Sequence, residues 1–164
     1  MTVAIQPDLF RSLLRRHAAG VVVITAAGDS PVGFTATSFT SVSLQPPLVS
    51  FCLNRTSSSW PTVSVAGHVA VHVLADGQEQ LARTFAARGI DRFAGPTRWR
   101  TGRYGLPVLD GALAVLVCRV VERIEAGDHA IVLAELVDGE HLADDVAPLL
   151  YHMGRYLRVR EGNR

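Results

Sequence analysis

Apolar residues fall in short runs split by polar, glycine- and proline-bearing stretches, and their spacing switches between helical and extended along the chain. After Pro7-Asp8, Leu9, Phe10, Leu13 and Leu14 share one helical face opposite Arg11, Arg15 and Arg16, which predicts a short amphipathic helix ended by Gly20. Residues 21–25 are all β-branched and predict a buried strand, followed by a Gly28-Asp29-Ser30-Pro31 turn. Residues 32–39 and 48–53 predict the next strands, with Pro46-Pro47 forcing the turn between them. A helix with Pro61 in its first turn follows the polar residues 54–59 and is closed by Gly67. Residues 69–74 predict a strand, and 78–87 a helix with Leu81 and Phe85 four apart and Gly89 past its end. Residues 113–124 and 130–137 predict two strands joined by Gly127-Asp128-His129. Between these, residues 90–107 show no period but hold Phe93, Trp99 and Tyr104 among Arg92, Arg98, Arg100 and Arg103; a loop of that length marks a lid or a contact segment.

Six or seven strands, three short helices and no βαβ alternation predict a mainly β fold, a closed or nearly closed antiparallel barrel of Greek-key type, because closure removes exposed strand edges. The 164 residues suit one domain, 1–164, with a real core. An apolar content of 48% argues against disorder. A net charge of +1 without blocks of like charge argues against a nucleic-acid or polybasic membrane surface. No apolar run approaches the roughly 20 residues that span a bilayer. Charge among the first apolar positions does not resemble a secretory signal, so a cytoplasmic protein is expected. Cys52 and Cys118 lie in apolar runs and are expected to be reduced thiols. His68 and His72 share a strand face without a third ligand, so no metal is expected. No G-x-G-x-x-G or Walker-type loop is present, so a nucleotide cofactor would not be held in the Rossmann manner.

Four segments carry candidate chemistry. Gly33-Phe34-Thr35-Ala36-Thr37-Ser38-Phe39-Thr40-Ser41-Val42-Ser43 gathers small hydroxyls in an apolar stretch, and Gly33 and Ala36 leave room for a flat ligand. Strand alternation puts Thr35 and Thr37 on one face, Ala36 and Ser38 on the other. A Thr-rich barrel strand has the same composition. Asn54-Arg55-Thr56-Ser57-Ser58-Ser59-Trp60 places hydroxyls and an Arg before a helix start, which suits a phosphate or a plain cap. Gly127-Asp128-His129 is a hairpin turn that presents a His. Tyr151-His152-Met153-Gly154-Arg155-Tyr156 could meet a pyrophosphate and a base, or pin the tail to the barrel.

In combination and order these segments resemble the short-chain flavin reductase family, the reductase components of two-component flavin-dependent monooxygenases. The likeness runs from about residue 19 to 156 and is also carried by Pro46-Pro47-Leu48-Val49, Asp91-Arg92-Phe93-Ala94-Gly95 and Gly105-Leu106-Pro107-Val108-Leu109. It implies an FMN-binding split barrel working as a homodimer, with the flavin near the subunit interface. Thr35, Ala36, Thr37 and Ser38, with Ser50 and Cys52, would line the ring and ribityl chain. Asn54, Ser57, Ser58, Ser59 and Trp60 would meet the phosphate, and Phe93 would close over the flavin. His129, with His152, Gly154, Arg155 and Tyr156, would face the nucleotide; His129 is the catalytic candidate, orienting the nicotinamide rather than acting as an obligatory acid. The implied reaction is hydride transfer from NADH or NADPH to FMN or FAD, with reduced flavin passed to a partner monooxygenase. Two other classes stay open: a flavin carrier on the same barrel, and an oxidase of the pyridoxamine-phosphate type with Arg98, Arg100 and Arg103 as its only phosphate candidates.

Overall fold

The computed structural model describes residues 4–141, 145–160 and 162; the remaining parts of the expected 1–164 domain lie outside the described residues. The elements are α1 (Pro7–Leu14), β1 (Ala19–Gly20), β2 (Val22–Ala26), β3 (Val32–Ala36), β4 (Thr40–Ser43), β5 (Leu48–Asn54), α2 (Trp60–Val63), β6 (His68–Val73), α3 (Glu79–Ala86), β7 (Trp99–Thr101), β8 (Pro107–Leu109), β9 (Ala114–Ala126), β10 (His129–His141), β11 (Leu149–His152) and β12 (Arg155–Arg158). Seven strands form one antiparallel sheet in the order β3-β2-β6-β9-β10-β5-β4, and smaller sheets join β1-β11-β12 and β7-β8. The fold is thus mainly β and antiparallel, as expected. Closure is not observed: β3 and β4 are the edges of the large sheet and do not pair with each other.

The sheet has a core on each face. Ile24, Phe34, Phe51, Val71 and Val132 meet on one side, with Val63 of α2 among them. On the other side, Val21 and Val23 pack against Ala82 and Phe85 of α3, and Leu106 and Val108 of the β7–β8 hairpin pack on Val115 and Val117. A strand buried on both faces has no polar alternation, which is why residues 21–25 form an unbroken β-branched run. By contrast β5 alternates: Val49, Phe51 and Leu53 enter the core while Ser50, Cys52 and Asn54 stay half-buried.

The helix predicted to run to Gly20 stops at Leu14, and Gly20 lies in β1. Here the chain turns to meet the tail: the Met153 N–H donates to the Arg15 carbonyl at 3.1 Å, and the Arg15 guanidinium to the Met153 carbonyl at 2.9 Å. The strand predicted over 32–39 ends at Ala36, and Thr40–Ser43 forms a separate strand on the far edge. The aperiodic 90–107 stretch contains β7 and leads into β8, its Trp99 indole donating to the Phe93 carbonyl at 3.1 Å.

Candidate active site

Where β3 stops, Thr37 and Ser38 leave the ladder and cross toward β5. The Ser38 hydroxyl accepts the Cys52 N–H at 2.9 Å and donates to the Cys52 carbonyl at 3.4 Å, tying the two strands side chain to backbone. Beside this junction opens a cleft of about 540 Å³ between the ends of β3, β5 and α3 and the start of β10. Its polar lining comes from Thr37, Ser38, Asn54, Thr56, Ser57 and Ser58. Its apolar lining comes from Phe34, Ala36, Leu53, Phe85 and Ala86. Arg88, Arg92 and His129 complete the rim.

The polar lining is held by its own hydrogen bonds. Asn54 Oδ1 accepts the Thr56 N–H at 2.9 Å and its hydroxyl at 2.8 Å, and Ser57 Oγ accepts the Ser59 N–H at 3.2 Å. That leaves the Asn54 amide group as a donor. The α2 helix that follows is one turn long, with no side-chain cap.

Arg92 fixes the α3 side of the cleft. Its guanidinium donates to the Gly33 carbonyl at 2.6 Å and to the Ala87 carbonyl at 3.0 and 2.8 Å, and burial lowers its pKa from the usual guanidinium value. It remains a cation, so the cleft is electropositive. At the far rim, His129 Nδ1 lies 2.7 Å from Asp128 Oδ1. That hydrogen bond, and the charge of the imidazole, hold the Asp128 carboxyl below the usual carboxylate range.

Of the residues expected at a site, Thr35, Ala36, Thr37, Ser38, Cys52, Asn54, Ser57, Ser58 and His129 are brought together in this cleft. Because β3 ends at Ala36, residues 35 to 38 all line it and the expected two-face alternation does not hold. Thr35 uses its hydroxyl on the Ala82 carbonyl at 2.6 Å, fastening α3 to β3. His152 and Gly154 lie in an adjoining cleft of about 490 Å³ beneath α1, which shares Thr37 and Ser38 with the first.

Gly33, Ser50, Ser59, Trp60, Phe93, Arg155 and Tyr156 line neither cleft. The space over Gly33 is taken by Phe85, whose ring would lie 2.7 Å from an added Cβ. Ser50 sits in the ladder opposite Leu133 and Thr40, and the Ser59 hydroxyl is buried against the Gly33 carbonyl. Trp60 packs on the core, and Phe93 lies edge-on between Phe85 and Trp99 at 5.1 and 5.3 Å. Tyr156 packs on Tyr151 beneath the Arg83 guanidinium, and Arg155 pairs with His152 across the β11–β12 hairpin.

Sequence reasoning missed Phe85, Arg88 and Gly89 as cleft residues; the only signal was their place at the end of a predicted helix. Arg92 was visible in the Asp91-Arg92-Phe93 string but not assigned a role. The two strand histidines are used structurally. His72 is buried between the Val23 carbonyl and the Leu109 N–H, and His68 stacks on Tyr104 at 3.7 Å. Among the described residues no group of three or more His, Cys, Asp and Glu is placed to hold a metal.

Comparison with known proteins gives a family model, the flavin reductase like domain, that matches residues 14–160. The chain is 46% identical over 154 residues to an NADH:FMN oxidoreductase of Rhodococcus qingshengii, covering 91% of this chain and 80% of that one. It is 37% identical over 161 residues to the reductase subunit of a flavin-dependent monooxygenase of Mycobacterium tuberculosis, covering 97% and 86%. Among solved structures, an NADH:FAD oxidoreductase of Streptomyces globisporus in complex with NAD and FAD fragments superposes with a TM-score of 0.89 at 34% identity, covering 97% of this chain and 98% of that one.

Proposed function

This chain belongs to the flavin reductase-like domain family, and from that membership and the cleft we infer that it is a nicotinamide-nucleotide-dependent flavin reductase. It uses NADH or NADPH to reduce FMN or FAD and supplies reduced flavin to a partner monooxygenase. The observation that carries the reading is the convergence of residues 35–38, Asn54, Thr56, Ser57, Ser58 and His129 on one cleft that hydroxyls and apolar side chains line together. A flavin ring has one polar and one apolar edge, and a cleft lined by both kinds of side chain suits it. The donors also fit: an amide, hydroxyls and two guanidinium groups.

The hydride chemistry belongs to the bound flavin and the nucleotide. The chain's own residues bind and orient. Phe34, Ala36 and Phe85 exclude water from the apolar side. Thr37, Ser38 and Asn54 offer hydrogen bonds to a polar edge. Thr56, Ser57 and Ser58 offer hydroxyls to the side chain and its phosphate. The Arg88 and Arg92 cations favour the negative charge of a phosphate and of a reduced ring. His129, held by Asp128, faces the nucleotide and orients it.

We assign the open sheet to a split barrel in one domain. Its support is the Ser38 bridge to Cys52 and the Phe34–Phe51 ring contact at 5.9 Å, which link edge strand β3 to β5. The working unit is a homodimer. Helix α1 has no buried residue, and Leu9, Phe10, Leu13 and Leu14 are all exposed on the single chain, an apolar stripe of the kind helices cover. No described helix is long and apolar enough to cross a membrane, and both cysteines are free thiols; we place the protein in the cytoplasm.

None of Arg98, Arg100 and Arg103, the phosphate candidates of the oxidase alternative, lines the cleft. Arg100 pairs with Glu140 at 2.9 Å and Arg103 with Asp138 at 3.1 Å, away from the cleft. The test is steady-state oxidation of NADH and NADPH by the purified protein with FMN, FAD and riboflavin in turn. Flavin-dependent turnover is expected. Tight flavin binding with no turnover for any pair would make the protein a flavin carrier instead.

A further inference from the structure

Within the run from Asn54 to Ser58, Arg55 alone turns away from the cleft. Asn54, Thr56, Ser57 and Ser58 line it, whereas the Arg55 side chain runs to the turn between β9 and β10. One arm of its guanidinium donates to the Gly127 carbonyl. The other pairs with Glu125 at 3.3 Å, and the Arg55 backbone N–H donates to the Asp128 carbonyl at 3.1 Å. One residue thus grips the last part of β9 and both residues of the turn.

That turn needs a grip. Gly127 has φ +62°, both turn residues are exposed, and the strands they join are each 13 residues long. Exposed loop tips with few buried contacts are the least stable parts of a fold. The next residue is His129, whose ring is held by Asp128 at 2.7 Å and faces the cleft.

We propose that Arg55 is a positioning residue: it clamps the Glu125–Asp128 turn so that the Asp128–His129 pair is presented to the nicotinamide nucleotide, and it does not hold the flavin phosphate. The proposal rests on the reading of His129 as the nucleotide-facing residue. A guanidinium suits the task because its planar fork serves a carbonyl and a carboxylate together, which an ammonium cannot. A guanidinium already opposed by Glu125 is also a poor partner for a second anion.

The experiment compares Arg55→Ala, Arg55→Lys, His129→Ala and the Arg55→Ala/His129→Ala pair. It reads the KM for the nucleotide, kcat, and the dissociation constants of FMN and riboflavin. Arg55→Ala is expected to raise the nucleotide KM roughly tenfold, the cost of one charge-assisted contact. The ratio of FMN to riboflavin affinity stays unchanged, and Arg55→Lys fails to restore the KM. In the His129→Ala background, Arg55→Ala adds nothing further, because the two act as a unit. Loss of the preference for FMN over riboflavin in Arg55→Ala would make Arg55 a phosphate ligand and overturn the proposal. Additive effects on KM in the pair would overturn it too, by separating Arg55 from His129. An unchanged nucleotide KM in His129→Ala alone would remove the underlying reading of His129, and the proposal with it. Should Arg55→Ala not fold, Glu125→Gln at the exposed end of the clamp replaces it; a smaller rise in KM, absent in the His129→Ala background, is then expected.

Discussion

His72 makes stability depend on pH in a window set by its burial. It lies on β6, fully buried, with Nδ1 2.9 Å from the Val23 carbonyl of β2 and Nε2 3.0 Å from the Leu109 nitrogen of β8. A carbonyl can only accept and an amide N–H can only donate, so the ring is neutral with its proton on Nδ1. A second proton on Nε2 would face the Leu109 N–H and place a charge in the core. Burial is the main cause that pushes its pKa from 6.5 down to about 4; the Val23 hydrogen bond opposes this, and the Arg100 charge adds to it. The unfolded chain therefore binds a proton that the folded chain refuses between these two values. Stability is at its full value above pH 6.5 and falls as pH drops toward 4. The size of that gap corresponds to about 3 kcal/mol. Urea unfolding of the wild-type chain and of His72→Gln at both ends of the window isolates this contribution, since the other titrating groups are common to both. The wild type is expected to lose about 3 kcal/mol more than the variant on acidification. Parallel losses in the two chains would refute the reasoning.

Three further outcomes are expected. Gly33→Ala drives a methyl group into the Phe85 ring; it should cost about 1–3 kcal/mol in urea unfolding and weaken flavin binding, because Thr35 and Arg92 tie β3 to the same side of the cleft. In native thiol labelling at mildly alkaline pH, Cys52 should react and bound flavin should protect it, while Cys118, buried with its thiol pushed up to about 12, stays inert. Replacing both Phe10 and Leu14 by Glu should yield monomers in sedimentation experiments if α1 forms part of the subunit interface; an unchanged mass would place the interface elsewhere.

The strands were legible where one rule governed them. The β-branched run of β2, the apolar run of β5 and the turn before His129 all appear in the structure within a residue or two. The failures share a cause, contact with segments distant in sequence. Helix α1 stops early because residue 15 meets residue 153, and β3 stops early because Ser38 meets Cys52. Local periodicity carries no trace of either partner. The cleft was legible on its hydroxyl side, where composition is unusual. Its apolar and cationic lining was not, because Phe85 and Arg88 look like the end of any helix until α3 is docked on β3, and Arg92 stands in a stretch without period. Gly33 is expected to leave room for a flat ligand, but that space is filled by Phe85. Phe93 likewise sits beneath the cleft wall, braced by Phe85 and Trp99.

The most direct test of the cleft as a site of flavin reduction is anaerobic rapid mixing of the flavin-loaded protein with nucleotide, followed through the flavin absorbance. Bleaching at least as fast as steady-state turnover is expected, slowed when the nucleotide carries deuterium at the transferred position. A flavin that stays bound and oxidised after mixing with NADH and with NADPH would contradict the account.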